Sequence, residues 1–253
     1  MDIYSNSMTK RFLVPLTLFI SLVAIIVIYA LPTFIEQRVI QSATLDAEKT
    51  VKQFKTVRGY YTKNVIAKAK AFGMSPHFEH KDSANMIPLP ATMIHELSTL
   101  LTKAGTKLKL YSPYPFPNRA SNKLDDFQKR AWQNLSRNPK RSFSEVVEIN
   151  DKSYTRVAVA DTMQAQACVS CHNSHPLTPK NDWKLNDVRG VLEVTKPLDD
   201  IYAMTNSIRM YIILSTIIVV LSLTAILIYL FKRVVLSRTA TLDQSLTGLA
   251  KGE

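Results

Sequence analysis

Residues 143–194 read FSEVVEINDKSYTRVAVADTMQAQACVSCHNSHPLTPKNDWKLNDVRGVLEV. Three stretches within it, 143–149, 153–163 and 187–194, are short and either alternate in character or are rich in valine, isoleucine and tyrosine. Each predicts a β-strand. Upstream the pattern changes. Residues 37–72 hold no proline and a single glycine, Gly59, with apolar residues at Val39, Ala43, Ala47, Val51, Phe54, Val57, Tyr61 and Val65. Spacings of three and four predict an amphipathic helix whose apolar stripe faces a core or a partner helix. Residues 73–90, with their Ser-Pro, Ile-Pro and Leu-Pro pairs, predict an irregular connection. A helix is expected over 91–104, from Met93, Ile94, Leu97, Leu100 and Leu101, with Gly105 as its cap. Residues 107–111 alternate as a strand does; Pro113, Pro115 and Pro117 then predict an extended segment, and 124–135 another helix. Helices first and mostly antiparallel strands afterwards give an α+β class, a small sheet covered by helices. No internal repeat or low-complexity tract is visible.

Outside this region lie two runs, 12–31 and 210–231, without a charged side chain. Each can span a bilayer, since about 20 apolar residues cover its hydrocarbon core. A cleaved secretory signal is the competing reading of the first run, because Lys10 and Arg11 precede it. A signal's apolar region is usually about 7–15 residues and ends at a small-x-small site. This run is longer and continues into Pro32-Thr33-Phe34-Ile35-Glu36, so an uncleaved anchor is expected. Lys10 and Arg11 before the first span, and Lys232, Arg233 and Arg238 after the second, predict cytoplasmic ends. The expected organisation is a cytoplasmic N-terminus at 1–11, spans at 12–31 and 210–231, an extracytoplasmic domain at 32–209, and a cytoplasmic tail at 232–253. In the tail Leu242, Leu246 and Leu249 form one short coiled-coil stripe, or simply the apolar side of a juxtamembrane helix.

The formal net charge is +12. For a chain whose middle is exported, the expected partner of that charge is the anionic surface of a lipid bilayer, and no nucleic acid is expected.

Both cysteines of the chain fall within Cys168-Val169-Ser170-Cys171-His172. A C-x-x-C-H motif suits two thioether bonds to the vinyl groups of one haem c, with the adjacent histidine as an axial iron ligand. A Cys168–Cys171 disulfide and a zinc site recruiting His172 and His175 are the competing readings. The disulfide reading lacks a βαβ pattern around it, and the neighbouring Cys171 and His172 are awkwardly spaced for one tetrahedral ion. The sixth iron position has several candidates: His77, His80, His95, His175, Met74, Met86 and Met93. His175 lies too near His172 in sequence to reach the opposite face. His95 lies among Met93, Ile94 and Leu97 on the predicted helix, where it is either the distal ligand or a core or surface histidine bonded to backbone. An open position, binding a gas directly, is the further option. No nucleophile-base pair and no phosphate-binding glycine loop is found, so catalysis is not expected.

The exported region resembles the c-haem, PAS-like sensor domains found ahead of HAMP linkers in bacterial histidine kinases, diguanylate cyclases and chemoreceptors. The resemblance rests on RGYYTKNV at 58–65, IPLPATMIHELS at 87–98, YSPYPFPNR at 111–119, CVSCHNSHP at 168–176 and DWKLNDVRGVLEV at 182–194. It covers roughly residues 35–200. It implies a PAS-like fold set between two membrane helices in the bacterial inner membrane, with the haem domain in the periplasm. It implies that Cys168 and Cys171 anchor haem c and that His172 ligates it. Some relatives use a cysteine as the second axial ligand, and this chain has none to spare. Residues 232–253 resemble the first helix of a HAMP linker, cut short before the second.

The expected function is a membrane-bound sensor of redox state or of a small ligand such as a diatomic gas. A homodimer, or a separate signalling output protein, would read a displacement of the second span. The alternatives are a membrane-anchored monohaem electron carrier working with a redox partner, and a haem-free receptor domain for a small organic ligand.

Overall fold

The computed structural model describes residues 2–231 and 233. Within it, residues 39–201 form one compact unit, and the described parts of 1–38 and 202–253 form a second. The leucine stripe at 242–249 and the HAMP-like reading of the tail fall outside the described residues, Arg233 excepted.

The 39–201 unit is built on a four-stranded antiparallel sheet. Its strands are β3 (Lys107–Tyr111), β4 (Ser142–Ile149), β5 (Lys152–Thr162) and β6 (Val188–Pro197). Their order in the sheet is β3-β6-β5-β4. The hairpin between β4 and β5 turns on Asn150 and Asp151, both at positive φ (52° and 59°). That pair of left-handed residues suits a tight turn whose twist matches the strands, and asparagine and aspartate tolerate it better than most residues. β3 reaches β6 through a close approach at Gly190, where an added Cβ would stand 2.8 Å from the Tyr111 carbonyl oxygen.

Helices cover both faces. On one side α1 (Asp2–Tyr60), from residue 39 onward, and α3 (Pro90–Leu101) pack Ala47, Val51 and Ile94 on Val157, Val159, Leu192 and Val194. On the other side α4 (Asp126–Arg137) packs Phe127, Ala131 and Leu135 on Ala158, Ala160 and Val191. Because successive strand residues point to opposite faces, this double cover buries β5 without interruption from Thr155 to Asp161. The α+β expectation holds: a small antiparallel sheet with helices.

Local signals explain the element ends. α4 starts at a capping box, in which the Asp125 carboxylate accepts from the Gln128 N–H at 2.9 Å and the Gln128 side chain accepts from the Asp125 N–H at 3.2 Å. α3 has Pro90 in its first turn, and its terminal 3₁₀ turn stops at Gly105, where φ is +75°. The helix expected over 37–72 is present but not uniform. It widens into one π-helical turn, Tyr61–Ile66, before the short α2 (Ala67–Ala71). Tyr61 opens that turn, and its hydroxyl donates to the Pro88 carbonyl at 2.7 Å.

Two sequence expectations need correction. Residues 73–90 are not wholly irregular, since β1 (Ser75–His77) and β2 (Met86–Pro88) form a parallel pair. Pro76 and Pro88 disguise it, because proline cannot donate to a ladder and survives only where no donor is required. The proline-spaced segment at 113–117 is also not extended throughout. Pro117 opens a 3₁₀ turn to Arg119, whose N–H donates to the Phe116 carbonyl at 2.8 Å. Proline's fixed φ suits the first position of such a turn.

The second unit contains the two apolar runs. The described helices α1 and α6 (Asp199–Leu230) are both long and apolar enough to cross a membrane. Their large apolar side chains face outward: Leu18 and Phe19 are each 64% exposed, as are Ile218 and Leu221. In water each such side chain would forgo about 1.5–3 kcal/mol, whereas hydrocarbon accepts them. Glu36 and Arg209, beside the ends of the two runs, form an ion pair at 3.2 Å.

Candidate cofactor site on helix α5

The C-x-x-C-H motif lies on a helix that sequence reasoning did not assign, α5 (Gln166–Ser174). Its first turn closes with Cys168 and Val169 donating to the Ala165 carbonyl at 2.9 and 3.3 Å. It stops at His175, which is extended (φ −68°, ψ 129°) as the residue before Pro176 tends to be. At 100° per residue, positions i, i+3 and i+4 share one face. Cys168, Cys171 and His172 occupy those positions.

The other face holds α5 in place. Val169 is buried with Met163 and Trp183. The Asn173 side chain donates to the Trp183 carbonyl at 2.9 Å and accepts from the Trp183 N–H at 3.0 Å, a reciprocal pair that pins the C-terminal end of the helix. Trp183 in turn packs edge-on against Tyr114, with centroids 5.6 Å apart. Cys168, Cys171 and His172 thus share one side of a fixed helix, with Cys171 exposed and the other two half-buried.

Both thiols are free, Cys168 half-buried and Cys171 exposed. No group of three or more His, Cys, Asp or Glu that could hold a metal ion is found among the described residues. The cleft beside Cys168 is lined by Lys55, Arg58, Gly59, Thr62 and Asp161, among others, and holds about 40 Å³. That is room for about one water, far below the several hundred Å³ of an enclosed ligand pocket. The fit to a covalent macrocycle therefore rests on the donor set and on the open face at Cys171.

His172 is half-buried. Its Nδ1 accepts from Arg189 Nε at 3.3 Å, and its ring centroid stands 5.6 Å from that of Phe116. Burial first, and then the Arg189 charge, push its pKa down to about 4. His95 shares this condition. Burial, followed by the charges of Arg119 and Lys109, holds its pKa at about 4, and its Nε2 is buried without a hydrogen-bond partner. The turn Phe116–Arg119 is the feature the two histidines share, with Phe116 on the His172 ring and the Arg119 charge acting on His95.

The remaining histidines each have a hydrogen bond at one ring nitrogen. His77 Nδ1 accepts from the Glu79 N–H at 3.1 Å, His80 Nε2 bonds Glu96 at 3.0 Å, and His175 Nδ1 accepts from the Leu177 N–H at 3.1 Å. Sequence reasoning singled out Cys168, Cys171, His172 and His95, but assigned no role to Phe116, Arg119, Asn173, Trp183 or Arg189. The only signal for these was their place inside the motifs at 111–119, 168–176 and 182–194.

The two depressed histidines fix a pH response. On acidification the unfolded chain takes up protons from about pH 6.5, while the folded rings stay neutral to about pH 4. Stability is therefore whole above about pH 6.5 and falls as pH drops toward 4. In a Cys168→Ser/Cys171→Ser chain the expected loss is about 1–3 kcal/mol, less than full linkage because both rings keep some solvent contact. Denaturant midpoints at pH 7 and pH 4.5 check it, and equal midpoints would mean that the rings are not held neutral.

These features define an α+β domain with a C-x-x-C-H helix, flanked by two helices long and apolar enough to cross a membrane. A family model described as Tll0287-like matches residues 36–197, and the chain belongs to the Tll0287-like family. No curated protein and no solved structure matches the chain significantly.

Proposed function

We propose that Cys168 and Cys171 carry one covalently attached haem c, that His172 is an axial ligand of its iron, and that the domain works as a membrane-bound sensor. The observation that carries this reading is the placement of two free thiols and a half-buried imidazole on one face of α5. A metal ligand must be unprotonated, and burial keeps His172 so. When bound, haem iron supplies reversible one-electron chemistry and, with an open sixth position, binding of a diatomic gas. The chain's own residues hold and orient it: Asn173 and Trp183 fix the helix, and His95 offers a second buried nitrogen.

The sensing role draws on connectivity. Arg189, which touches His172, lies on β6, and β6 leads through the buried Leu198 into α6. Repacking around His172 would reach the start of the second span along this strand, for a homodimer or a separate output protein to read. The proposed setting is the bacterial inner membrane with the domain in the periplasm, consistent with the basic residues outside both spans. The exposure of Cys171 favours a second reading, a membrane-anchored electron carrier, because an exposed haem edge speeds electron exchange with a redox partner.

Haem staining of a denaturing gel tests the cofactor. The chain produced with cytochrome c maturation machinery is expected to stain, and the Cys168→Ala/Cys171→Ala variant to be colourless. A colourless unsubstituted chain would sink the proposal. Difference spectra with carbon monoxide and nitric oxide then separate the two roles. A haem that binds neither gas and exchanges electrons rapidly with a quinol oxidase would favour the carrier.

A further inference from the structure

One cleft of the 39–201 unit brings α1 and its π-helical turn against the end of β5 and the start of α5. Its walls include Lys55, Arg58, Lys63, Asp161 and Cys168, so three cations line it against one carboxylate. That carboxylate is taken, because Asp161 pairs with Nη1 of Arg58. Lys55 is held as well, its Nζ donating to the Ala160 carbonyl at 2.7 Å. Arg58 Nε is different: it is buried and has no hydrogen-bond partner among the described residues. A buried donor without an acceptor is costly. Nε belongs to the edge by which a guanidinium grips two oxygens at once, as Arg130 does on Glu145 through Nε and Nη2 at 3.0 and 2.7 Å.

Two features of the backbone point to the same place. Gly59 stands inside the continuous helix that runs from α1 through the π-helical turn into α2, where glycine is less favourable than alanine. The fold itself does not ask for it. Its φ is not positive, and an added Cβ would meet only Gln164 Oε1, at an ordinary 3.8 Å. Gly59 and Gln164 both line the cleft, so what the missing Cβ preserves is width there. Two residues further on, the helix widens at Tyr61–Ile66, and Thr62 and Lys63 of that turn also line the cleft. Such turns re-aim side chains and recur at functional sites.

We propose that this cleft binds a small planar oxyanion of the formate or nitrite class, gripped by Arg58 through Nε and flanked by Thr62 and Lys63. The shared chemistry is two oxygens on one centre with a single negative charge. At about 40 Å³ the cleft admits little more than one water, which limits a guest to an ion of about three heavy atoms. Haem propionates leave the macrocycle from the edge opposite its vinyl groups, so a haem joined at Cys168 brings its thioether edge here and not its carboxylates. The site draws on groups of the polypeptide alone and does not rest on the haem reading.

The test is a calorimetric titration of the full chain in detergent with sodium formate and, separately, with sodium nitrite, against sodium chloride at equal ionic strength. It is run on the haem-free chain and, in parallel, on the haem-loaded chain, whose absorption spectrum reports any anion that goes to iron instead. One site per chain is expected, and the tighter of the two anions names the source. Arg58→Lys keeps a cation beside Asp161 but loses the two-pronged grip, so binding should weaken about tenfold. Gly59→Ala separates binding from stability. Removing a helix-interior glycine should raise the thermal midpoint, while the added methyl narrows the cleft and should weaken binding by about tenfold or more. A parent chain that binds neither anion beyond chloride would overturn the proposal, and so would a Gly59→Ala chain that binds as the parent does. Equal binding by Arg58→Lys would overturn it too; should that variant fail to fold, Gly59→Ala decides alone.

Discussion

Replacing His95 by alanine in the haem-loaded chain is expected to convert a low-spin absorption spectrum to a high-spin one and to open the iron to carbon monoxide. Four of the five histidines have a hydrogen bond at one ring nitrogen: His77, His172 and His175 at Nδ1, and His80 at Nε2. His95 differs, with Nε2 buried and unpartnered. A buried polar atom left unsatisfied costs about 1–3 kcal/mol, and iron coordination would remove that cost. Burial holds the ring neutral down to about pH 4, so its lone pair is available at any ordinary pH. Its neighbour Arg119 sits in the turn that also touches His172. Spectra of the oxidised and reduced variant, with and without carbon monoxide, check this. An unchanged low-spin spectrum would remove His95 from the site and return the choice to His77, His80, Met74, Met86 or Met93.

The methionines are weaker candidates for a structural reason. Met93 is already packed against the Ala47–Ile94 core, and recruiting it would leave a gap in that packing. The alternative of a permanently open sixth position predicts carbon monoxide binding in the parent chain too, so the parent and the His95→Ala variant are read together.

Much of the fold could be read from residue order, and the failures have physical causes. The helix over 91–104 announces itself by apolar spacing and a terminal glycine, and the three long strands by their composition. α5 was not legible because its role is presentation: one outward face carries two cysteines and a histidine, and a single buried Val169 anchors the rear, too little for an apolar stripe. The parallel pair β1 and β2 was hidden by its prolines. At the site, the ligating types stand in a compact motif, whereas Arg189 reaches His172 and Phe116 only through the register of β6. Nothing in a linear reading distinguishes Arg189 from the other basic residues of a chain with net charge +12.

The largest misreading that alternation invites concerns Glu193. In β6, Val191, Glu193 and Thr195 share a face, and a strand reader would turn a glutamate toward water. The sheet is covered on both sides, so Glu193 is only 2% exposed. It accepts from Arg156 Nε at 2.8 Å, Thr195 Oγ1 at 3.0 Å and Gln128 Nε2 at 3.3 Å. Arg156 also bonds Asp125, the cap of α4, and stacks 4.1 Å over Phe127. Burial works against the Arg156 charge, but the bonds to Glu193 and Asp125 prevail and raise its pKa. Glu193→Ala would strand that guanidinium in the interior with only the half-exposed Asp125. The expected cost is about 3–5 kcal/mol, a large share of the about 5–15 kcal/mol that ordinarily holds a domain folded. Asp125→Ala removes a cap and one outer bond, and should cost nearer 1 kcal/mol. Replacing the whole pair, as Arg156→Met/Glu193→Leu, leaves no unpaired charge and should recover most of the loss. Thermal unfolding of the detergent-solubilised chains, followed by near-ultraviolet circular dichroism, ranks the three. If Glu193→Ala melts no lower than Asp125→Ala, the buried pair is not what ties α4 to the sheet, and the apolar contacts of Phe127, Ala131 and Leu135 hold it alone.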